Sequence, residues 1–285
     1  MSVFSIIVPT IHRTDELSRL LDSVAAQKSC FFSLGQLHII IVDQNEDDRL
    51  AAIVRPYEGL FQVERLKAPP LGQSHAKNMG MERIRGKYVG FPDDDCFYND
   101  DTLDKVYRAF QETKDSVALF GRCWDKETGQ YLLRYPAKNL FIRSPKSPLV
   151  FLGLQIAQFY TADMAKSVGH FDVDLCSGGK WGSGEETDFA IRFLKGGGNI
   201  QYRPEILVNH PLVVPQTMPL EKVRRYALGF GALCRKQGLG ALLVAKAAKQ
   251  AAGFLFFILQ GDRKRAMVFG ATAISRLKGY WSYRP

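Results

Sequence analysis

The chain has no C-x-x-C pair. Its five cysteines, at 30, 96, 123, 176 and 234, are scattered and odd in number. That pattern excludes a disulfide framework and a cysteine zinc site, and it fits a reducing compartment. No basic stretch followed by a long apolar core opens the sequence, so no secretory leader is expected. No G-x-G-x-x-G follows the first apolar run and no P-loop lysine motif occurs, which argues against dinucleotide and P-loop folds. Long apolar runs are scarce in the C-terminal quarter. The longest charge-free run there, Gln250 to Gly261, is 12 residues, well short of the ~20 that span a bilayer.

Acidic residues are also nearly missing from that quarter. Pro219 to Pro285 carry 13 Lys or Arg against 2 acids, a net of +11, whereas the preceding residues sum to −2. All the excess charge of this +9 chain therefore lies in the tail. A generic basic surface would not be so polarised, and the tail is expected to face something anionic.

What is present begins with short apolar runs that end in polar or acidic residues. Phe4 to Pro9 closes on Thr10, and Thr14 is placed to cap a helix to about Gln27 with Leu17, Leu20, Leu21 and Val24 on one face. His38 to Asp43 is a second strand, and residues 61–66 form a third. Helix 73–84, strand 88–91, helix 101–113 (with Asp100 and Asp101 as caps) and strand 117–122 follow. Prolines 136, 145 and 148 break up the middle, with one further strand expected at 149–152. Strands at 199–202 and 206–208 close the sheet. Alternating strands and helices with nearly continuous apolar strands predict an α/β fold: a mostly parallel sheet covered by helices on both faces.

In such sheets ligands bind beyond the carboxyl ends of the strands. Thr10, Asp43 and the run Asp93, Asp94, Asp95 all fall there. Three adjacent carboxylates repel one another, so a fold keeps them together where water, a metal or a cationic ligand neutralises them. A solvated acidic turn is the simpler alternative. Further on, Ser177 to Gly184 places glycines around Trp181, a mobile loop with a stacking surface. Glu185, Glu186 and Asp188 then open a helix, where acids suit the positive end with or without catalysis. His210 ends the last strand, either as a ligand or as a structural histidine.

The ordered set of these pieces resembles the family 2 glycosyltransferases, which have the GT-A fold. The matching stretches are Ile6 to Thr10 with Arg13, Ile41 to Asp43, Gly72 to Gly80, Gly86 to Asp95, Val168 to Asp172, Gly184 to Phe189, and His210-Pro211. They cover about residues 3–212. The charge and helical spacing of the tail set apart a basic helical region over 216–285, and the resemblance implies a catalytic domain over 1–215. It implies an inverting transferase that takes a sugar from a nucleotide-diphosphate donor, most commonly UDP-linked with a dTDP-sugar as the alternative. Thr10 and Asp43 would then lie against the base and ribose, with Pro9, Arg13, Lys77, Asp93 and Asp94 also on the nucleotide sugar. Asp95, with Asp93 and His210, would hold Mn2+ or Mg2+. Glu186 occupies the base position, where the family usually has Asp, and Asp188 is the fallback. Glu185 and Trp181 would contact the acceptor.

The residue types suit that chemistry. Carboxylates hold a divalent ion against a pyrophosphate leaving group, and another carboxylate takes the acceptor hydroxyl's proton. The acceptor implied is a glycan or polyprenyl-linked sugar in cell-surface polysaccharide synthesis. A sugar nucleotidyltransferase is disfavoured by the missing glycine-rich basic loop, and a non-catalytic glycan- or lipid-binding protein by the intact acidic clusters. In the tail, apolar helices flanked by Arg263, Lys264 and Arg265 and by Tyr280, Trp281 and Tyr283 suit a helix lying in an anionic membrane surface. The expected location is peripheral, on the cytoplasmic side of the cell membrane. A helical subdomain packed on the core is the alternative. No nucleic-acid motif accompanies the charge, so no nucleic-acid partner is expected.

Overall fold

The computed structural model describes residues 2–113, 117–212 and 218–284. The chain forms two compact units. One comprises Met1–Leu71, His75–Phe171 and Phe189–Leu212; the other comprises Gly72–Ser74, Asp172–Asp188 and the described part of Val213–Pro285. The boundary expected at 215/216 lies outside the described residues.

The first unit is built on one sheet. Its strands are β1 (Phe4–Thr10), β2 (Leu37–Asp43), β3 (Gln62–Lys67), β4 (Tyr88–Gly90), β5 (Phe97–Tyr98), β6 (Val117–Asp125), β7 (Gln130–Tyr131), β8 (Leu140–Ile142), β9 (Gln158–Thr161) and β10 (Asn199–Asn209). The order is β3-β2-β1-β4-β9-β6-β10-β5, with β7 on β6 and β8 on β10. Parallel pairing joins β3, β2, β1 and β4 and also joins β6 to β10. Between those two parallel blocks β9 runs antiparallel to both β4 and β6, so the sheet is mixed.

Every residue of β1 and β2 is buried, as a strand covered on both faces requires. Ile6, Ile7, Ile39, Ile40 and Ile41 have no exposed surface, and each contributes about 1.5–3 kcal/mol through burial. The flanking helices are α1 (Asp15–Ala25), α2 (Leu50–Val54), α3 (Gln73–Met81), α4 (Thr102–Gln111), α5 (Ala162–Val168) and α6 (Glu185–Lys195). In α1 the buried stripe is Leu17, Leu20, Leu21 and Val24, the face read from the sequence. Strand β4 lies close beside β1 because residue 86 is glycine: a Cβ there would meet the backbone of Phe4 and Ser5 at 2.5 Å. The Ser5 hydroxyl accepts from the backbone N–H groups of Arg85 and Gly86.

Several local expectations differ from what is found. Thr14 and Asp101 occupy N-cap positions, but neither side chain makes a capping hydrogen bond. Residues 148–152 form a 3-10 turn instead of a strand. Pro148 removes a donor at its start and Ser147 Oγ accepts from Leu149 N at 3.3 Å, which favours the turn. The two pieces expected at 199–208 are one strand with a register irregularity between Tyr202 and Leu207.

The second unit contains α7 (Leu220–Gln237), α8 (Gly240–Leu259) and α9 (Arg263–Ser282). Helices α7 and α9 cross at glycines, since a Cβ on Gly231 or Gly279 would lie 2.0 Å from a carbonyl oxygen of the other helix. Helices α8 and α9 form a hairpin, with Phe257 and Phe269 5.1 Å apart. The two lysines of α8 do not interrupt it. It is a continuous 20-residue helix, long and apolar enough by length and composition to cross a bilayer, with 11% of its most apolar window buried. Leu255, Phe256, Ile258 and Leu259 are exposed on it.

Candidate active site

Parallel strands in register bring their carboxyl ends to one edge, and here Thr10 stands beside Asp43 and Asp43 beside Lys67. Pro9 precedes them, buried on β1 opposite Val42. The Thr10 hydroxyl is buried without a hydrogen bond. Asp43 is fully buried; Oδ1 accepts from the backbone and side-chain nitrogens of Asn45 at 2.9 and 2.7 Å, and Lys67 Nζ is 2.9 Å from Oδ2. Asn45 Oδ1 also accepts from His12 N at 2.7 Å, which holds His12 in the left-handed region at φ 58°. Sequence reasoning alone misses Asn45 and Lys67. The D-Q-N stretch after β2 is the type of segment that makes an Asx turn, and it was the available signal.

Arg13 follows His12 and reaches the acidic run after β4. Its Nη1 is 2.7 Å from Asp94 Oδ1 and 2.5 Å from Asp95 Oδ2. His210, at the end of β10, approaches from the other side, with Nε2 3.4 Å from Asp95 Oδ1. Its Nδ1 lies 2.7 Å from the Pro211 carbonyl. A carbonyl only accepts, so Nδ1 carries a proton and Nε2 is left facing Asp95, able to donate to it when the ring is protonated or to bind a metal when it is neutral.

The three carboxyl groups titrate apart. Burial pushes Asp93 up, opposed by the charge of Lys77 and reinforced by that of Asp95. Burial pushes Asp94 up to about 6 against the pull of Arg13. Burial acts the same way on Asp95, but His210 and Arg13 outweigh it and bring Asp95 down to about 2. Burial lowers His210 and Asp95 raises it, for a net upward shift. Like charges held together in this way leave room for a cation.

Asp93, Asp95 and His210 have the ligand types and spacing to hold a metal ion, with one donor atom from each lying within 4.8 Å of the others. Asp95 Oδ1 is buried without a hydrogen bond, so a ligand position is already formed. Two carboxylates and an imidazole suit a divalent ion such as Mn2+. Lys77 is fully buried on α3. Its Nζ donates to Gln155 Oε1 and lies 5.8 Å from the Phe171 ring centroid. Asn78 clamps the Phe171 backbone with two hydrogen bonds of 2.8 and 2.9 Å. The sheet unit thus gathers Arg13, Asp94, Asp95 and His210 around the acidic run, with Thr10 and Asp43 side by side on adjoining strand ends.

The remaining predicted residues belong to the second unit. Gly182 and Gly184 take φ of 86° and 114°, which favour glycine. Trp181 N donates to the Asp174 carbonyl at 2.7 Å, and the indole is 5% exposed, 5.6 Å from the Tyr283 ring. The tryptophan therefore packs inward and does not form the open stacking surface expected of the loop. Ser183 donates to the Tyr226 carbonyl at 3.1 Å. Glu185 and Asp188 are buried and Glu186 is partly exposed. Asp188 Oδ1 accepts from Gln237 Nε2 at 2.6 Å and from Lys236 Nζ at 2.8 Å, and Lys236 also reaches Asp172 Oδ2 at 2.7 Å. A basic tail gives no hint of which cation turns inward, so the sequence does not reveal the role of Lys236 and Gln237.

Comparison with known proteins follows the same lines. The family model described as Glycosyl transferase family 2 matches residues 5–175. A poly(ribitol-phosphate) beta-N-acetylglucosaminyltransferase, TarS, from Staphylococcus aureus is 28% identical over 121 residues, 42% of this chain and 21% of that protein. A GalNAc(5)-diNAcBac-PP-undecaprenol beta-1,3-glucosyltransferase from Campylobacter jejuni is 26% identical over 176 residues, 59% of this chain and 53% of that one. The chain thus covers about a fifth to a half of the length of these relatives. Among solved structures, the mannosyltransferase PcManGT from Pyrobaculum calidifontis, in complex with GDP-Man and Mn2+, superposes with TM-score 0.65 at 16% identity, covering 99% of this chain and 88% of that one. S. aureus TarS 1–349 in complex with UDP-GlcNAc gives 0.59 at 15% identity, covering 99% and 92%. These likenesses establish the GT-A type of fold. With the family model matched over most of the chain, it belongs to glycosyl transferase family 2.

Proposed function

We propose that this chain is an inverting transferase that moves a sugar from a UDP-linked donor to a hydroxyl of a cell-surface or lipid-linked glycan. The observation that carries this proposal is the set Asp93, Asp95 and His210 at the carboxyl edge of a sheet whose adjoining strands end in Thr10 and Asp43. In this proposal Thr10 and Asp43, with Pro9, line the base and ribose. Arg13, Lys77, Asp93 and Asp94 flank the diphosphate and sugar, and Asp93, Asp95 and His210 hold a divalent ion. When bound, that ion neutralises charge that develops on the leaving diphosphate.

Glu186 is the proposed base. It is partly exposed, whereas Asp188 is fully buried and held by Lys236 and Gln237. A base must reach the proton it takes, so Asp188 is a positioning residue that fixes the first turn of α6. Glu185 beside it is proposed to help orient the acceptor. The inward packing of Trp181 removes the support for an acceptor contact there.

The UDP assignment draws on TarS solved with UDP-GlcNAc, and the lipid-linked alternative draws on the C. jejuni undecaprenol enzyme. The exposed apolar side of α8, next to Arg263, Lys264 and Arg265, supports peripheral attachment to the inner face of an anionic membrane. The test is a panel of nucleotide sugars with Mn2+ or Mg2+, measuring released nucleoside diphosphate. Release is expected with one donor class and is abolished by chelator, by Asp95→Ala and by Glu186→Ala. Release that persists in both variants would sink the site assignment, and pyrophosphate released from a nucleoside triphosphate would replace the proposal with nucleotidyl transfer.

A further inference from the structure

Residues 126–146 leave the sheet after β6 and rejoin it at β8, and none of the roles above uses them. We infer that this segment is a track for an acceptor that is an extended, phosphodiester-bearing glycan or polyol chain. The inference rests on the glycosyltransferase reading and names its acceptor class.

Charge is the first observation. The segment carries Lys126, Arg134, Lys138, Arg143 and Lys146 against Glu127 alone. All five cations are exposed, and among the described residues none is paired with a carboxylate. Some exposed cations elsewhere in the same unit are paired, with Arg85 2.8 Å from Glu64 and Lys28 2.8 Å from Asp100. Those that are not, such as Arg55 and Lys87, are scattered along the chain, whereas these five fall within 21 residues. A run of unpaired cations has electrostatic capacity left for an anionic ligand, and guanidinium forks match phosphate oxygens.

The aromatic residues are the second observation. Tyr131 is 43% and Phe141 62% exposed, each with a guanidinium near its ring, Arg122 at 4.7 Å and Arg143 at 5.7 Å. Exposed rings beside cations offer apolar faces to the C–H surfaces of sugars or polyols between charged groups.

Placement is the third. Tyr131 pairs with Trp124, whose carbonyl accepts from His210 N at 2.9 Å. One end of the segment therefore abuts the proposed ion site. At the other end Phe141 pairs with Gln201. Gln201 faces Leu119 and Asn209 faces Trp124 on β6, so these two levels are about 17 Å apart at ordinary strand rise. The segment crosses from the outer side of β6 to the outer side of β10 between them. That length exceeds a single sugar and fits an occupant that is extended, with its reacting end at the Tyr131 side.

The test measures fluorescence anisotropy of a labelled glycerol-phosphate oligomer and of a neutral glucan oligomer of matched length, with UDP and Mn2+ present. The proteins are wild type, the triple variant Arg134→Ala/Lys138→Ala/Arg143→Ala, and a charge-keeping variant Arg134→Lys/Arg143→Lys. The expected result is preferential binding of the phosphate oligomer, weakening as salt rises. The triple variant should lose roughly tenfold, as for a few exposed charge contacts, and the charge-keeping variant should retain most of the affinity. Equal affinity for the neutral glucan, or unchanged affinity in a triple variant that melts like wild type, would overturn the inference. So would a triple variant that loses binding only to phosphatidylglycerol vesicles, since the surface would then serve lipid. UDP binding by the wild type in the same samples reports separately on the glycosyltransferase reading. Failure there counts against the donor site, whereas failure of chain binding alone counts against this track.

Discussion

Arg13 Nη1 lies 2.5 Å from Asp95 Oδ2, so the chain carries its own counter-ion against the carboxylate best placed to take a metal. A guanidinium and a divalent ion competing for one carboxylate cannot both be held at full strength. Arg13→Ala is therefore expected to lower stability by about 1 kcal/mol without metal, the scale of a partly exposed ion pair. Added Mn2+ should raise its melting temperature more than it raises that of wild type. Thermal melts with chelator and with Mn2+ check this, and identical shifts in the two proteins would show that Arg13 does not act as the stand-in.

Lys236 joins Asp172 and Asp188, and its removal leaves two carboxylates short of a partner. Lys236→Met should destabilise by about 3 kcal/mol, as expected for breaking a buried pair from one side. Glu186→Gln should leave the urea midpoint nearly unchanged while lowering turnover by roughly 100-fold or more, the range of general-base catalysis. If both variants lose stability equally, Glu186 is a structural residue.

The same bridge sets a pH window. Burial works against ionised Asp172, but Lys236 outweighs it and holds Asp172 below its usual range. Burial likewise opposes charged Lys236, and Asp188 and Asp172 raise it. A depressed carboxyl contributes stability above its unfolded pKa of about 3.9 and loses it as pH falls through the folded value. A raised lysine contributes below its unfolded value of about 10.4 and loses it as pH rises through the folded one. Urea midpoints should fall at both extremes in wild type and less steeply in Lys236→Met; parallel profiles would exclude the bridge as the cause.

His38 is fully buried in β2, between Ser5 and Glu64. Burial, helped by Arg85, lowers it despite the nearby Glu64. As pH falls below about 6.5 the unfolded chain takes the proton first, so stability drops, by at most ~1.4 kcal/mol per pH unit for one group. His38→Gln should flatten that part of the profile. A wild-type profile already flat there would contradict the buried neutral histidine.

The hairpin of α8 and α9 exposes Leu255, Phe256, Ile258 and Leu259 beside three consecutive cations. Flotation with phosphatidylglycerol vesicles should carry the protein upward, and vesicles of zwitterionic lipid should carry less. Replacing Arg263, Lys264 and Arg265 by Gln should weaken binding by roughly 100-fold, at about 1 kcal/mol per charge near the surface. No flotation with either lipid would remove the membrane proposal.

Much of the sheet was legible because fully apolar strands such as Ile39 to Val42 leave little alternative. The carboxyl-edge residues Thr10 and Asp43 followed from where those runs stop. Strand β9 was not legible: its pairing between β4 and β6 is a long-range choice that no local pattern in Gln158 to Thr161 announces. The acidic run is evident from three adjacent charges, but the family likeness places Arg13 only on the nucleotide sugar, and its pairing with Asp94 and Asp95 is visible only in the structure. The inward turn of Trp181 depends on the packing of Tyr283, a hundred residues away in sequence. Local chemistry gave the Gly-rich turn and could not give the direction of its indole.

Lys236 and Gln237 have a practical consequence. A fragment ending after residue 215 would keep every strand yet lose both side chains that hold Asp188, together with the helix against which Gly182 and Gly184 pack. Trimming the basic tail for solubility would therefore damage the turn that carries Glu186. By the same contacts, substitutions in that turn and in α7 should be inherited as matched sets, so chimeras with relatives should exchange the two segments together.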